Sequence, residues 1–408
     1  MVDKSQPQNQ WFVLIIATLI LVGAIGIPFS AMPVLFSRII QDLQLTLAQM
    51  GMIWGVLPLG GAIAAIPGGL LGDRLDTRKF IGVGCFVIAV ISGLRGISGN
   101  YATLIIFMFL CGIAITAVIP NFTKVVSLFF PPRQLGLAIG ILNSGVNIGG
   151  ILTTALGATV ILPLVGTWRN VLFLYSAIGI TLGIIWLLAI REIKQNQMVT
   201  DTDSIARKDS VRKTLGRVLR VKDMRLLMIA SMLLAGSFLA LLGYMPIYLE
   251  NTGVPKSTGD MISSTIFVAG ILGSLVIPTL SDRIGSRKRV LIVCTAVIGI
   301  SIFLLSISDT KFFWILVPII GATFMGAIAV SLVIPLELKE IGPTYGASAA
   351  GLLIASHNIG GFIWPTIGGK LAEVNQSWPF IFWAILVFAA TTCFFFIGET
   401  SYKQSSVR

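Results

Sequence analysis

Charge is what this sequence has least of. Only 11% of its 408 residues are Asp, Glu, Lys or Arg, where a soluble globular domain carries about 25%. A chain that short of charge cannot coat itself for water, so lipid must cover much of its surface. Histidine occurs once, at His357. The four cysteines (Cys85, Cys111, Cys294, Cys393) lie inside apolar runs without CxxC or Cys/His spacing, which argues against a disulfide framework or a zinc site. No metal and no cofactor is expected. The Walker pattern is absent, which excludes ATP-driven pumping by this chain alone, and no nucleophile motif surrounds His357. Enzymatic chemistry therefore finds no footing.

What is present is apolar: 55% of the residues are hydrophobic and the mean hydropathy is +0.93. A helix crossing the hydrocarbon core needs about 20 such residues. Runs of that kind begin near Trp11, Met50, Phe80, Ala102, Leu135, Val171, Leu226, Met261, Leu291, Phe312, Ala347 and Phe380. The first is too long for a cleaved signal peptide. The longest polar interval separates two sets of six. The expected architecture is thus an all-α integral membrane protein of twelve transmembrane helices: a six-helix bundle over 1–190, a basic linker over 191–225, and a second bundle over 226–408.

Twelve spans place both termini on one side. Of the 29 Lys and Arg residues, all but Arg38, Arg95, Arg169, Lys256, Lys311 and Lys370 fall in loops or ends on that side. Positive-inside bias of this strength predicts cytoplasmic termini in a multi-pass protein of the plasma membrane, a bacterial inner membrane. It also accounts for the net charge of +12, since basic loops face anionic headgroups. A nucleic-acid partner is not expected.

The two sets of six read as copies. Gly72-Asp73-Arg74-Leu75-Asp76-Thr77-Arg78-Lys79 matches Ser281-Asp282-Arg283-Ile284-Gly285-Ser286-Arg287-Lys288. Asn147-Ile148-Gly149-Gly150 recurs as Asn358-Ile359-Gly360-Gly361, Val118-Ile119-Pro120 with Lys124 as Val333-Ile334-Pro335 with Lys339, and Met32-Pro33 as Met245-Pro246. Each pair joins equivalent spans. Repeated halves with a site between them near the midplane are an architecture of secondary transporters.

The stretch from Gly69 to Lys79 resembles the loop 2–3 signature of the major facilitator superfamily. That resemblance, which extends to span count and repeat, implies alternating access by two rocking bundles. It also implies that Asp73 and Asp282 act as gate residues on the cytoplasmic side. Asp76 stands where the family usually has glycine, which predicts a less ideal turn. Arg74, Arg78, Arg283 and Arg287 complete the gate loops. Lys124 and Lys339 are expected to pair with Asp73 and Asp282, although snorkelling at span ends would also explain them. Gly145-Val146-Asn147-Ile148-Gly149-Gly150 is similar to the family's antiporter motif but has Val146 in place of its proline, which lowers the export reading. The glycines themselves suit close helix packing.

His357 falls mid-span in the eleventh run beside Ser356 and Asn358, with Asn143, Ser144 and Asn147 at similar depth in the fifth. An ionisable group there is a functional candidate by default, for solute contact or proton coupling. A satisfied helix contact is the competing reading, and the asparagines either line the same cavity or bond between helices. Tyr244 and Trp364 are candidate lining residues, with Trp54; packing or lipid contact is the alternative for each. Trp11, Trp168, Trp314 and Trp378 sit at span ends, as an aromatic belt requires. No Asp, Glu or Arg is placed at the centre of a span, whereas proton–drug exporters of the family usually carry a buried acid.

These features predict a secondary transporter, expected to be a monomer, that takes up a small organic anion or polar metabolite with protons. Weak similarity to the family's anion and cyanate branches, through Thr167-Trp168-Arg169 and Met245-Pro246-Ile247-Tyr248-Leu249, supports uptake. The alternative is proton-driven efflux of a hydrophobic compound.

Overall fold

The computed structural model describes residues 9–190, 211–338 and 340–399, apart from the side chains of residues 66, 69, 70, 73, 74, 132, 133, 211–214, 343, 344 and 347. The gate residues Asp73 and Arg74 (as side chains) and Lys339 lie outside the described residues, as does most of the linker.

The described chain is a bundle of long helices. The first six are α1 (Gln10–Leu43), α2 (Leu47–Arg74), α3 (Thr77–Leu94), α4 (Tyr101–Phe129), α5 (Pro132–Leu156) and α6 (Trp168–Ala189). The second six are α7 (Lys222–Asn251), α8 (Lys256–Ile284), α9 (Arg287–Leu305), α10 (Phe313–Ser331), α11 (Gly342–Val374) and α12 (Trp378–Phe396). Eleven are long and apolar enough to cross a membrane by length and composition. The twelfth, α11, has 33 residues and packs lengthwise between α2 and α7. Short loops make successive helices antiparallel: α1 starts and α12 ends at one face, the terminal face, and the α1–α2 turn lies at the far face.

Local chemistry fixes the ends. Thr46 and Gln49 form a reciprocal capping box at α2, satisfying two orphan N–H groups. Asn100, Thr167 and Ser286 cap α4, α6 and α9 with side-chain oxygens. The two gate loops turn differently. Gly285 takes a left-handed conformation (φ +72°) after α8, as glycine does at helix ends. In the first copy Asp76 stays at negative φ and caps α3, accepting from the Arg78 and Lys79 N–H groups at 2.9 and 3.2 Å. The poorer turn expected at Asp76 is therefore not found, because the carboxylate replaces the glycine turn with an N-cap.

The repeat extends to atomic packing. Gly112 of α4 presses on the Leu57 carbonyl of α2, and Gly321 of α10 presses on the Ile266 carbonyl of α8. Both members of the pair are displaced by the same 209 residues that separate Gly72 from Ser281. Small residues let the backbones approach closely in each case. In α1 a π-helical stretch, Leu21–Gly26, receives Gly145 and Gly149 of α5.

Candidate functional site

The halves meet along three seams, α2 with α11, α5 with α8, and α1 with α7. The first can be followed down one stripe of α11, at residues 369, 362, 358 and 351. A Cβ on Gly369 would meet the backbone of Leu47 and Ala48, and the Phe362 carbonyl lies 2.6 Å from where Gly55 would carry one. One turn further, Asn358 Nδ2 lies 3.2 Å and Thr116 Oγ1 2.5 Å from the Cβ position of Gly61. Two turns beyond, Gly351 has nothing within 4 Å. The α5 stripe behaves alike. Gly150 is tight on Phe267, Gly140 reaches Leu275 at 3.8 Å, and Gly136 faces open space. Between them sit Asn147, half-buried, and Asn143, exposed. Both seams are closed toward the far face and part toward the terminal face.

Hydrogen bonding agrees. Among the described residues, four hydrogen bonds join the halves: Ser37 Oγ to Glu250 Oε2 (2.6 Å), Lys256 Nζ to the Val34 carbonyl (3.2 Å), the Ala48 N–H to Glu373 Oε1 (2.9 Å) and Trp54 Nε1 to the Leu239 carbonyl (2.9 Å). All lie in the far half of the bundle.

At the level where the seams part, Thr116 of α4 and Asn358 of α11 meet at Gly61 of α2, and Asn143 and Asn147 lie on the α5 stripe. His357 adjoins them on the side of α11 that meets α7, one turn from Gly360 at Met232. Its Nε2 is buried and makes no hydrogen bond. The arrangement is an apex of neutral hydrogen-bonding groups at mid-depth. Tyr244 and Trp54 line a small cavity between the halves on the far side of this level, with Phe36, Gly51, Pro365 and Trp383, and Trp364 packs against α7. The Tyr244 hydroxyl donates to the Gln376 carbonyl at 3.0 Å inside a far-side aromatic cluster with Tyr248, Phe380 and Trp383. Trp364 Nε1 donates to the Met232 carbonyl at 3.1 Å, and Trp54 is buried in the seam. All three pack helices together.

At the terminal face, charges are tied within each half. Lys124 Nζ donates to the Gly72 carbonyl at 3.2 Å, bringing α4 to the end of α2. Asp282 pairs with Arg287 at 2.5 Å, in its own loop, and Arg287 also holds Glu337 (3.3 Å) and Ser281 (3.2 Å). Arg78 instead donates to the Leu187 carbonyl of α6, and Arg283 is exposed. Glu337 has Phe122 as its counterpart, so the Arg287–Glu337 pair is not repeated in the first half.

Three buried polar groups were not foreseen. Arg95, assigned to a loop by sequence, is fully buried and donates to the Pro28 carbonyl of α1 at 3.1 Å. Trp168, expected in the aromatic belt, is buried with Nε1 donating to Asp42 (3.2 Å), which Arg169 also pairs. Asp260 is buried in the second turn of α8.

Two repeat-related bundles that run in the same sense, closed together at one face and parted at the other, have the architecture of a membrane transporter. The sequence pattern of the Major Facilitator Superfamily matches residues 14–365, and the chain belongs to that family. It is similar to a hexuronate transporter of Bacillus subtilis, at 24% identity over 69% of each chain. It is also similar to a gallate transporter of Pseudomonas putida, at 22% identity over 91% of this chain and 88% of that one. A probable sulfoacetate transporter of Cupriavidus necator is 22% identical over 84% and 83%. Among solved structures, a bacterial homologue of the human lysosomal transporter Spinster superposes with a TM-score of 0.78 at 16% identity, covering 96% of this chain and 97% of that one. The protein is a multi-pass transporter of small-molecule solutes rather than an enzyme.

Proposed function

We propose that the protein takes up a small organic anion together with protons, cycling between a far-face-open state and the terminal-face-open state described above. Both termini lie in the cytoplasm of a bacterial cell on this reading, so the apex opens inward. One observation carries it. Thr116 and Asn358, which meet at Gly61, and Asn143 and Asn147 on the α5 stripe are neutral hydrogen-bonding groups with no carboxylate among them, and His357 adjoins Asn358 on the α7 side of α11. Such a lining suits a carboxylate or sulfonate guest, because each donor strengthens when its acceptor is charged. The relatives named for hexuronate, gallate and sulfoacetate support the same class of solute. At the far face, Arg38, Asp42 and Arg169 border a vestibule of about 630 Å³; Asp42 pairs with Arg169, so the positive charge an arriving anion meets there is that of Arg38.

The gate proposal is modified by the ion pairs. Asp282, Arg287 and Glu337 form one latch within the second half, and Lys124 at Gly72 forms the other within the first. Asp73, Arg74 and Lys339 are retained as gate candidates from sequence. Proteoliposomes with an alkaline interior test the reading: a hexuronate, gallate and sulfoacetate are offered outside, with and without a protonophore. Protonophore-sensitive accumulation of one of them is the expected result. Export of a hydrophobic dye against that gradient, with no acid taken up, would replace it with the efflux reading.

A further inference from the structure

Asp260 sits two turns above Phe267 on the stripe of α8 that faces the other half, and it is 1% exposed. Its carboxyl makes no hydrogen bond among the described residues, and Oδ2 is wholly shielded from solvent. The nearest cation, Lys256, lies four residues back on the same helix, within reach of Asp260 in principle. In this state it is turned away, with Nζ 3.0 Å from Glu250 Oε2 of α7 and 3.2 Å from the Val34 carbonyl of α1. Glu250 is itself held by Ser37 of α1. Closing the far-face seam therefore draws the lysine across to α1 and leaves a buried carboxyl with no hydrogen-bond or ion-pair contact, Lys256 acting on it only across space against the opposing charge of Glu250. An ionised carboxylate in that position costs several kcal/mol; a protonated one does not.

We propose that Asp260 is a proton-binding site whose occupancy is required for the far-face seam to close. With the seam open, water reaches the carboxylate and Lys256 is free to pair with it. As the halves meet, Oδ2 takes a proton from far-side water, one O–H bond forming as a hydronium ion gives one up. Lys256 then transfers to Glu250 and Val34. Reopening returns the lysine and releases the proton. The other charged groups around this point are few. Glu250 comes from α7; Arg38 and the Arg169-paired Asp42 come from α1. The described spans of α5 and α10 contribute none near it, and Asp309 and Lys311 stand ahead of α10. The inference deepens the proton-coupled reading by naming where a proton binds, but its test uses no solute, so either can fail without the other.

Spin labels at Gln41→Cys and Asn251→Cys, in a Cys393→Ser background, report the width of the far face in nanodiscs as pH is varied. The closed population is expected to grow as pH falls, by up to about tenfold per pH unit, the limit for one proton. Asp260→Asn and, independently, Asp260→Ala should be closed at every pH. Glu250→Gln should close less yet keep the pH dependence. A wild-type distance distribution indifferent to pH, or an Asp260→Asn protein that still follows pH as wild type does, would overturn the proposal.

Discussion

Arg95 Nη2 lies 3.1 Å from the carbonyl oxygen of Pro28, and this bond fastens the far end of α3 to the middle of α1. The guanidinium also donates to the Ser92 carbonyl (3.3 Å) and touches Met108 Sδ (3.7 Å), and no carboxylate among the described residues pairs with it. Its role is mechanical: it ties α3 to a helix that lies on the seam between the halves.

Two substitutions separate the charge from the packing. Arg95→Ala leaves the Pro28 carbonyl unsatisfied beside a cavity and is expected to cost about 2–5 kcal/mol. Arg95→Met fills the space and removes the expense of burying a charge, so it should cost clearly less. Thermal unfolding followed by a thiol-reactive dye measures both, because Cys85, Cys111 and Cys294 are buried until the fold opens.

Asp76 gives a second test, confined to one loop. Its carboxylate accepts from two N–H groups at the start of α3. Asp76→Ala should lower stability by about 1 kcal/mol, the usual loss for an N-cap, while Asp76→Asn, which caps comparably, should change little. Equal losses in the two variants on chemical denaturation would show that the cap is not what the aspartate contributes.

The glycines divide into those that build a half and those that let the halves meet. Gly55 lies against the Phe362 carbonyl across the seam, whereas Gly112 lies against Leu57 in its own half. Gly55→Val should leave a folded protein that cannot close at the far face. A cysteine at Ala240, 2% exposed in wild type beside the small cavity at Trp54, should then react about tenfold faster with an impermeant maleimide, as a shift of about 1.4 kcal/mol between states produces. Gly112→Val should instead reduce the yield of folded protein.

The twelve spans and the repeat were legible because lipid imposes one composition over about 20 residues and duplication copies it. Gly112 and Gly321 could be paired by offset alone. Arg95 and Asp260 were misplaced for a related reason: each lies at the edge of an apolar run, where sequence does not say whether the last turn is inside or out. Their burial is decided by Pro28 and by the seam, contacts with distant segments. The terminal-face ion pairs were legible only in part. Asp282 has two basic residues within reach, and the backbone turn at Gly285, not the spacing, brings Arg287 to it. Thr116 gave no signal at all until Gly61 and Asn358 were placed beside it.

His357 separates solute binding from helix packing most cleanly. Its Nε2 is buried without a hydrogen bond, so removing the ring deletes no internal bond at that nitrogen. A residue whose task is to hold α11 to α7 would, on substitution, lower the unfolding temperature and leave solute affinity alone. A residue that donates to a charged guest does the reverse, because a hydrogen bond to a charged group contributes about 1.5–3 kcal/mol, or roughly 10- to 150-fold in affinity. His357→Ala is therefore expected to keep the wild-type unfolding temperature and to weaken binding of the transported acid by at least about tenfold, measured by ligand-dependent thermal shift and by uptake. Asn358→Ala, on the stripe that faces Gly61, should do the same. A variant at Trp364, which packs on α7 through the Met232 carbonyl, should show the opposite pattern, losing stability first. If the His357 and Trp364 variants lost stability alike and kept wild-type affinity, the apex would be a packing junction and the solute site would have to be sought elsewhere along the seams.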